Sequence, residues 1–361
     1  MVLKPNGDKI PSNSPVEHIP TDYYPEGCGF WYEIPEGLDA GKKMFYRDSI
    51  HGSGTPENTI VFVHGNPEAS YTYSKAIKHL ISSIKKPIRI VAMDNIGFGL
   101  SDQATYEMVC MDHAENLLQL IKTLDLSNVT LIIHDWSGPI GVGAFLKVPT
   151  IVSNLVLLNS TVFPIPKTSG LIFTEFPSKE FSWPTFPDVI PNELWGRLAA
   201  AIVTMPGSDN QEPPNPENIV TLLKNNYPLE NESVAQRFYR EMFKSDSNVL
   251  SSKRLVRQCA FWAEGNIYKE PKLGNRDTAP FYRFIQENIT KLWGPDGQNI
   301  GVRGVIGINA EPTAKEETLQ TWVDNLPQFE GKFELYKRAG HFIEETKPKR
   351  VAKAIIEVAD L

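Results

Sequence analysis

The segment 129–141 constrains the fold of this chain more than any other. In Val129–Ile133 four of the five residues are apolar and three of those four are β-branched, which is typical of a buried parallel strand. Asp135 follows, then small residues from Ser137 onward, and Pro139 suits the first turn of a helix. A short turn between a strand and a helix holds its central side chain at the carboxyl end of the sheet. The segment therefore predicts a strand–turn–helix motif that presents the carboxylate of Asp135.

This turn has two alternative interpretations. Ser137 is a rival nucleophile, but it lies further from the strand and would need a small residue at Pro139. We therefore interpret Ser137 as a small residue that lets the turn close. Asp135 could also act only as the N-cap of the following helix. An N-cap does not account for Trp136 or for the polar residues described below.

Strands and helices alternate in two parts of the chain. Strands are predicted at 30–34, 43–47, 59–63, 88–93, 129–133, 155–158, 305–308 and 332–336, and helices at 71–84, 108–124, 316–325 and 348–358. Such alternation implies βαβ units that form a mostly parallel sheet with helices on both faces. The expected fold class is α/β.

The alternation stops between residues 160 and 303. This segment contains helical stretches at 192–203, 233–243 and 253–263, which are separated by proline clusters and rich in aromatic residues. Such a segment is typical of a helical insertion, or cap. We therefore expect a core domain of residues 1–159 and 304–361, in which residues 1–28 form an extended N-terminal arm, and a mainly helical cap domain of residues 160–303.

Composition narrows the classes of function. The net charge of −7 leaves no basic surface for nucleic acid or an anionic membrane. No apolar run approaches the roughly 20 residues of a membrane helix, and the start resembles no signal peptide. The three cysteines are widely spaced and predict neither disulfides nor a metal site. We expect a cytoplasmic monomer or small homo-oligomer without a metal or cofactor.

Five polar residues follow directly after predicted strands. They are Asn66, Asp135, Asn159, Glu311 and His341. Ligands of parallel α/β sheets bind at the carboxyl ends of the strands, where these side chains would meet. The sequence therefore predicts one functional site at this edge of the sheet.

His341 and a carboxylate form the predicted base of the site. An imidazole can take a proton from water at neutral pH, and it needs a carboxylate that fixes its tautomer. Glu311 follows the preceding strand and is the best candidate for this acid. Glu316, Glu317 and Glu344 are held in reserve.

Asp135 predicts a different reaction from that of a serine. A carboxylate attacks a saturated carbon that bears a leaving group and forms an alkyl ester, which water activated by the histidine then hydrolyses. The backbone N–H groups of Trp136 and Asn66 would hold the oxyanion. Their side chains supply N–H donors without a positive charge, as a departing anion in a dry pocket requires.

The motifs resemble those of the haloalkane dehalogenase group of α/β-hydrolase-fold proteins. They are His64-Gly65-Asn66-Pro67, Asp94–Asp102, His134–Pro139, Ile308–Pro312 and Gly340–Glu344. The resemblance implies an α/β-hydrolase fold with Asp135 as nucleophile, His341 as base, and Trp136 and Asn66 as halide ligands. The family acid follows either of two strands; Asn159 occupies the first position, which favours Glu311. The implied partners are a small apolar substrate, water and a product halide.

Three alternatives remain open. Epoxide hydrolases resemble the chain at the elbow and the final histidine, and use two cap tyrosines as acids; Tyr227, Tyr239, Tyr268 and Tyr282 are available. That family usually has an aromatic residue where this chain has Asn66, which favours dehalogenation. A β-lactone-cleaving decarboxylase shares the same motifs. A non-enzymatic sensor would bind a small apolar molecule in the same pocket.

Overall fold

The computed structural model describes most of the chain. The described residues are 10–167, 172–176, 178–179, 181–204, 216–225, 231–308 and 312–361.

Eight of the ten strands in the described residues form one sheet. In chain order the strands are β1 (Gly29–Glu33), β2 (Lys43–His51), β3 (Asn58–Val63), β4 (Ile88–Met93), β5 (Val129–Ile133), β6 (Val152–Leu158), β7 (Ile267–Glu270), β8 (Gly274–Asp277), β9 (Gly301–Gly307) and β10 (Phe333–Tyr336). The sheet order is β1-β2-β4-β3-β5-β6-β9-β10, and β7 and β8 form a separate hairpin. Neighbouring strands in the part β4-β3-β5-β6-β9-β10 of this sheet are all parallel. Strand β2 is antiparallel to both of its neighbours, β1 and β4. The predicted α/β class with a mostly parallel sheet is confirmed.

Twelve α-helices lie in the described residues. They are α1 (Ser74–Ser83), α2 (Cys110–Thr123), α3 (Ser137–Phe145), α4 (Phe186–Val189), α5 (Asn192–Thr204), α6 (Pro216–Asn225), α7 (Val234–Glu241), α8 (Asp246–Arg257), α9 (Ala279–Trp293), α10 (Glu316–Asn325), α11 (Ile343–Thr346) and α12 (Pro348–Ala359). None of the described helices is long and apolar enough to cross a membrane.

The central strands are buried on both faces because helices cover both sides of the sheet. On β3, Ile60 and Phe62 pack into a cluster with side chains of α1 and α12. Val61 and Val63, which alternate with them, belong to the opposite cluster, together with residues of α2, α3 and α9. Every residue of β3, β4 and β5 is buried. A strand with two covered faces has no polar side, which is why these three strands appear in the sequence as mostly apolar runs.

Most of the segment predicted as the cap lies between β6 and the return to the core. It includes α4 to α8 and the β7–β8 hairpin. The described residues between β6 and α9 are called the cap below. Helix α9 also falls in the predicted cap range, but it packs on core helix α3, where a Cβ at Gly143 would overlap the ring of Phe281. The chain therefore rejoins the core layer before β9 begins.

The β7–β8 hairpin and α9 were not predicted from the sequence. On β7 the buried positions are Tyr268 and Glu270, whereas Ile267 is exposed. Glu270 accepts hydrogen bonds from the N–H groups of Lys272, Leu273 and, across the fold, Glu107. A strand held by a buried carboxylate carries no apolar alternation that a sequence pattern could reveal.

The described part of the N-terminal arm joins the core to the cap. Tyr23 donates a hydrogen bond to the buried carboxylate of Asp94 in the core. Further along the arm, the N–H groups of Glu17 and His18 donate to Glu241 Oε2 on cap helix α7 at 2.8 and 2.9 Å. The arm therefore acts as a strap across both parts.

We expect Glu241→Gln to weaken this strap. Burial opposes ionisation of Glu241, but the two backbone N–H groups and His18 outweigh it and lower its pKa to about 2. The carboxylate therefore contributes stability that is full above about pH 4.5 and is lost as the pH falls through about 2. In urea unfolding at pH 7, the free energy of unfolding of the variant should be about 1–3 kcal/mol lower than that of the wild type. This difference should be smaller at pH 3. The exposed Glu264→Gln is the control. An equal decrease in the free energy of unfolding in both variants would contradict this role of Glu241.

Candidate active site

The turn after β5 holds Asp135 in a left-handed backbone conformation, with a φ of 52°. Its N–H donates to the carbonyl of Asn159 at 3.2 Å, and its carbonyl accepts from the hydroxyl of Ser160 at 2.6 Å. The hydroxyl of Ser137 bonds the backbone carbonyl and N–H of His134. Ser137 thus closes the turn, and Asp135 occupies its tip.

The carboxylate of Asp135 lies between the loops after β3 and β10. Its Oδ1 accepts the N–H of Asn66 at 2.7 Å, and its Oδ2 lies 3.1 Å from Nε2 of His341. A Cβ at Gly65 would overlap Asp135, so only glycine lets the β3 loop approach this closely. Of the two expected backbone donors to the oxyanion, Asn66 is in contact; among the described contacts the N–H of Trp136 makes no bond to Asp135.

Two side chains that carry N–H groups, those of Asn66 and Trp136, line the same region. The Oδ1 of Asn66 accepts a hydrogen bond from Ser252 at 2.6 Å, while its Nδ2 is buried and has no partner among the described residues. Trp136 is 1% exposed and packs on Trp262 with ring centroids 4.0 Å apart. Both Asn66 and Trp136 line one cavity beside Asp135.

This cavity has a volume of about 220 Å³ and a mainly apolar wall that includes many aromatic rings. The cap supplies most of that wall through Phe173, Phe176, Trp183, Phe186, Trp195 and Trp262. Asp135 and His341 are the charged or basic groups on its described lining, which includes no tyrosine. Such a space suits a small apolar molecule that reaches the carboxylate and the imidazole together.

The predicted acid of the site, Glu311, lies outside the described residues. Two of the alternative candidates for this acid, Glu316 and Glu317, are exposed at the start of α10. The amide of Asn159 bonds both the N–H and the carbonyl of Gly307 at 2.8 Å. Asn159 thus joins the ends of β6 and β9, and the role of Glu311 stays a prediction.

Comparison with known proteins agrees with this architecture. Residues 58–193 match the family model of the alpha/beta hydrolase fold. The structure aligns with a haloalkane dehalogenase from Paraglaciecola agarilytica NO2 with a TM-score of 0.62 and 21% identity over 90% of each chain. At this identity the likeness shows the fold. The chain adopts the α/β-hydrolase fold. The predicted α/β-hydrolase fold is therefore confirmed.

Two kinds of curated relative match part of this chain. A cis-3-alkyl-4-alkyloxetan-2-one decarboxylase from Shewanella oneidensis is 35% identical over 135 residues, which are 36% of this chain and 40% of the relative. A haloalkane dehalogenase from Mycolicibacterium smegmatis is 29% identical over 163 residues, which are 43% of this chain and 44% of the relative. The chain thus spans less than half the length of either relative. The second of these matches shows that the resemblance to haloalkane dehalogenases also extends to the sequence.

A buried acidic cluster lies next to the site and was missed from the sequence. Nδ1 of His134 lies 2.8 Å from Oε1 of Glu68 and 3.6 Å from Oε1 of Glu344. Thr72 donates to the same oxygen of Glu344 at 2.9 Å. All three ionisable side chains are fully buried. Glu344 therefore faces His134 in the cluster, and not solvent or the cavity.

The cluster supports the backbone of His341. A carbonyl oxygen only accepts, so the 2.9 Å contact between Nε2 of His134 and the carbonyl of His341 requires a proton on Nε2. A second proton must then lie between Nδ1 of His134 and Glu68, which are at hydrogen-bond distance. The rings of His134 and His341 also pack against each other at a tilt of 49°, with centroids 4.5 Å apart.

The same three groups have the composition of a metal site. One ligand atom from each of Glu68, His134 and Glu344 lies within 4.8 Å of the others. The 2.8 Å contact between Glu68 and His134 is that of a hydrogen bond, and a proton satisfies it. Burial raises the pKa of Glu68 and of Glu344 to about 8, so each carboxyl holds a proton more firmly than usual. The proton-bound form accounts for the geometry without an ion.

Glu344→Gln should change how stability depends on pH. Burial, opposed by His134, raises the pKa of Glu344 from 4.5 to about 8. Its protonation therefore stabilises the fold fully below about pH 4.5, and this is lost as the pH rises through about 8. Glutamine does not titrate, so the melting temperature of the variant minus that of the wild type should rise by roughly 2–5 °C between pH 5 and pH 9. Parallel pH curves would contradict this, and the exposed Glu316→Gln should give them.

Proposed function

We propose that this chain is a hydrolase that cleaves the carbon–halogen bond of small haloalkanes through an alkyl ester of Asp135. The products are an alcohol and a halide ion. The partners of the reaction are a small apolar substrate and water, and no cofactor takes part.

One observation carries the proposal. Asn66 offers a buried Nδ2–H donor that has no partner among the described residues, on the same cavity as Asp135 and Trp136. A neutral donor pair in an aromatic chamber suits a monovalent anion that must form and then leave. The described cavity lining includes no lysine or arginine that would retain that anion.

The first step uses the two oxygens of Asp135 differently. Oδ2, which faces His341, attacks the substrate carbon, and the electron pair of the carbon–halogen bond leaves with the halide. Oδ1 stays on the N–H of Asn66 and becomes the carbonyl oxygen of the ester. The departing halide is met by Asn66 Nδ2–H and the indole N–H of Trp136.

The second step uses His341. Nε2 takes a proton from water, and the hydroxide attacks the ester carbon of Asp135. Negative charge then develops on Oδ1, where the N–H of Asn66 already donates at 2.7 Å. The tetrahedral intermediate expels the alkoxide, which takes its proton from His341, and Asp135 returns to its carboxylate form with release of one proton.

The cavity argues against epoxide hydrolysis within the described residues. That reaction needs tyrosines that protonate a departing alkoxide. Tyr268 bonds Arg276, and neither Tyr239 nor Tyr282 lines the cavity. Tyr227 lies outside the described residues. The described lining therefore supplies donors for an anion but no phenol for an alkoxide.

A second candidate is decarboxylation of a β-lactone, which the relative from Shewanella oneidensis favours. Asp135 would attack the ring carbon that bears oxygen and release the ring carboxylate towards Asn66 and Trp136. Loss of CO₂ would then form the alkene while the carbon–oxygen bond to Asp135 breaks. This route needs no water and no base, so it would leave His341 without a chemical role.

A parallel assay tests these candidates. The protein is incubated with 1-bromobutane, with styrene oxide and with a cis-3,4-dialkyl-oxetan-2-one. We expect bromide release from the first substrate alone. Diol from styrene oxide would favour an epoxide hydrolase, and alkene with CO₂ would favour the decarboxylase. Binding without turnover of any of the three would favour a sensor.

Asp135→Asn should abolish bromide release while the protein stays folded. An amide is a poor nucleophile, so we expect a loss of at least about 1,000-fold in kcat. The Asn side chain can still accept the N–H of Asn66, so the melting temperature should stay within about 2 °C. The exposed Asp296→Asn is the control and should keep full activity. Retained turnover in Asp135→Asn would exclude the carboxylate nucleophile.

His341→Phe should stop the reaction after the first step. The ester would form without the imidazole but would not be hydrolysed, so the alkyl adduct should accumulate. Intact-protein mass spectrometry after incubation with 1-bromobutane would detect the added butyl group. The double variant Asp135→Asn with His341→Phe should remain unmodified. An adduct-free spectrum of His341→Phe would contradict the two-step route.

A further inference from the structure

Two cap side chains form a hydrogen-bonded chain that ends on Asn66. The indole Nε1 of Trp195, on α5, donates to Oγ of Ser252 at 2.9 Å. The hydroxyl of Ser252, on α8, donates to Oδ1 of Asn66 at 2.6 Å. All three residues are buried: Trp195 is 1% exposed, Ser252 0% and Asn66 5%. The cap thus reaches a core side chain that the proposed reaction uses.

The indole of Trp195 decides which atom donates and which accepts in each of these hydrogen bonds. An indole N–H can only donate, so the oxygen of Ser252 acts as its acceptor. The single hydroxyl proton of Ser252 is then free for the other neighbour, and a carbonyl oxygen is the partner that can accept it. A reversed amide would present N–H to a hydroxyl whose oxygen already accepts one donor, and the hydroxyl proton would lose its acceptor.

The consequence appears on the opposite side of the amide. With Oδ1 committed to Ser252, Nδ2 of Asn66 is left as a buried donor without a partner among the described residues. Asn66 lines the cavity next to Asp135. A buried N–H group without an acceptor is costly, and an arriving anion removes that cost.

We propose that Ser252 and Trp195 are positioning residues that fix the amide of Asn66 with its N–H, rather than its carbonyl oxygen, towards the leaving anion. This inference rests on the proposed function for the identity of the anion. It assigns to the cap a role beyond the cavity wall: the anion site is complete only when α5 and α8 are seated on the core.

Removing the hydroxyl of Ser252 tests the hydrogen-bonded series from Trp195 to Asn66 directly. In Ser252→Ala nothing distinguishes the two amide orientations, and the carbonyl oxygen can turn towards the anion. We expect bromide binding, measured as the saturable part of tryptophan fluorescence quenching, to weaken about 10-fold or more. With 1-bromobutane kcat should fall by a similar factor while KM changes little, because the substrate carries no anion before the bond breaks.

Three further variants separate orientation from packing. Ser252→Thr keeps the hydroxyl and should stay within about threefold of the wild type. Trp195→Phe removes the indole donor and should give a loss smaller than that of Ser252→Ala. Ser251→Ala deletes a buried hydroxyl from the same helix, one that accepts the N–H of Met108 and does not contact Asn66. It should bind bromide like the wild type. Equal losses in Ser251→Ala and Ser252→Ala would overturn the proposal.

High-resolution crystal structures distinguish this inference from the proposed function. Asn66 should have one amide orientation in the wild type and a rotated or mixed one in Ser252→Ala. That result would support the positioning role even if the wild type released no bromide from 1-bromobutane. An unchanged, fully ordered Asn66 in Ser252→Ala would overturn it even if bromide release were fast.

Discussion

The contact between the loops after β3 and β5 is the constraint on which the site depends. Val63 and Ile133 end these neighbouring parallel strands in register, so the two loops leave the sheet side by side. Gly65 has no side chain at the point of closest approach to Asp135, and the next N–H, from Asn66, binds Oδ1 of its carboxylate. Any larger residue at position 65 would separate the acid from its backbone donor. The two oxygens of Asp135 consequently have different neighbours, and they take different roles in the proposed reaction.

The site is assembled from parts of opposite character. The core supplies the polar groups at the carboxyl edge of the sheet, whereas the cap supplies an aromatic wall. Water excluded by that wall no longer weakens the interaction of an N–H donor with an anion. The same exclusion makes each unpartnered polar atom costly, so the orientation of the Asn66 amide matters more here than it would on a surface. Ser252 and Trp195 show that the cap also contributes polar contacts.

Behind the cavity, the protein retains groups that would be costly to ionise. Glu68 and Glu344 are fully buried beside His134, and burial raises the pKa of each to about 8. Protons shared within this cluster replace the counter-ions that two carboxylates would otherwise need. The hydrogen bond from His134 to the carbonyl of His341 then connects the cluster to the loop that carries the proposed base. The cluster is thus a support for a backbone position, separate from the cavity.

The sequence alone determined the central strands and the residues at their ends, because strands buried on both faces appear as apolar runs. The prediction for β4 and β5 matches their bounds, and that for β3 differs by one residue. Tertiary structure decided what those end residues contact. Ser252 contacts Asn66 across 186 positions of sequence. Glu344, an alternative candidate for the carboxylate partner of His341, faces His134. Local patterns record burial and periodicity, whereas the direction of an amide or a carboxylate depends on helices that pack from distant parts of the chain.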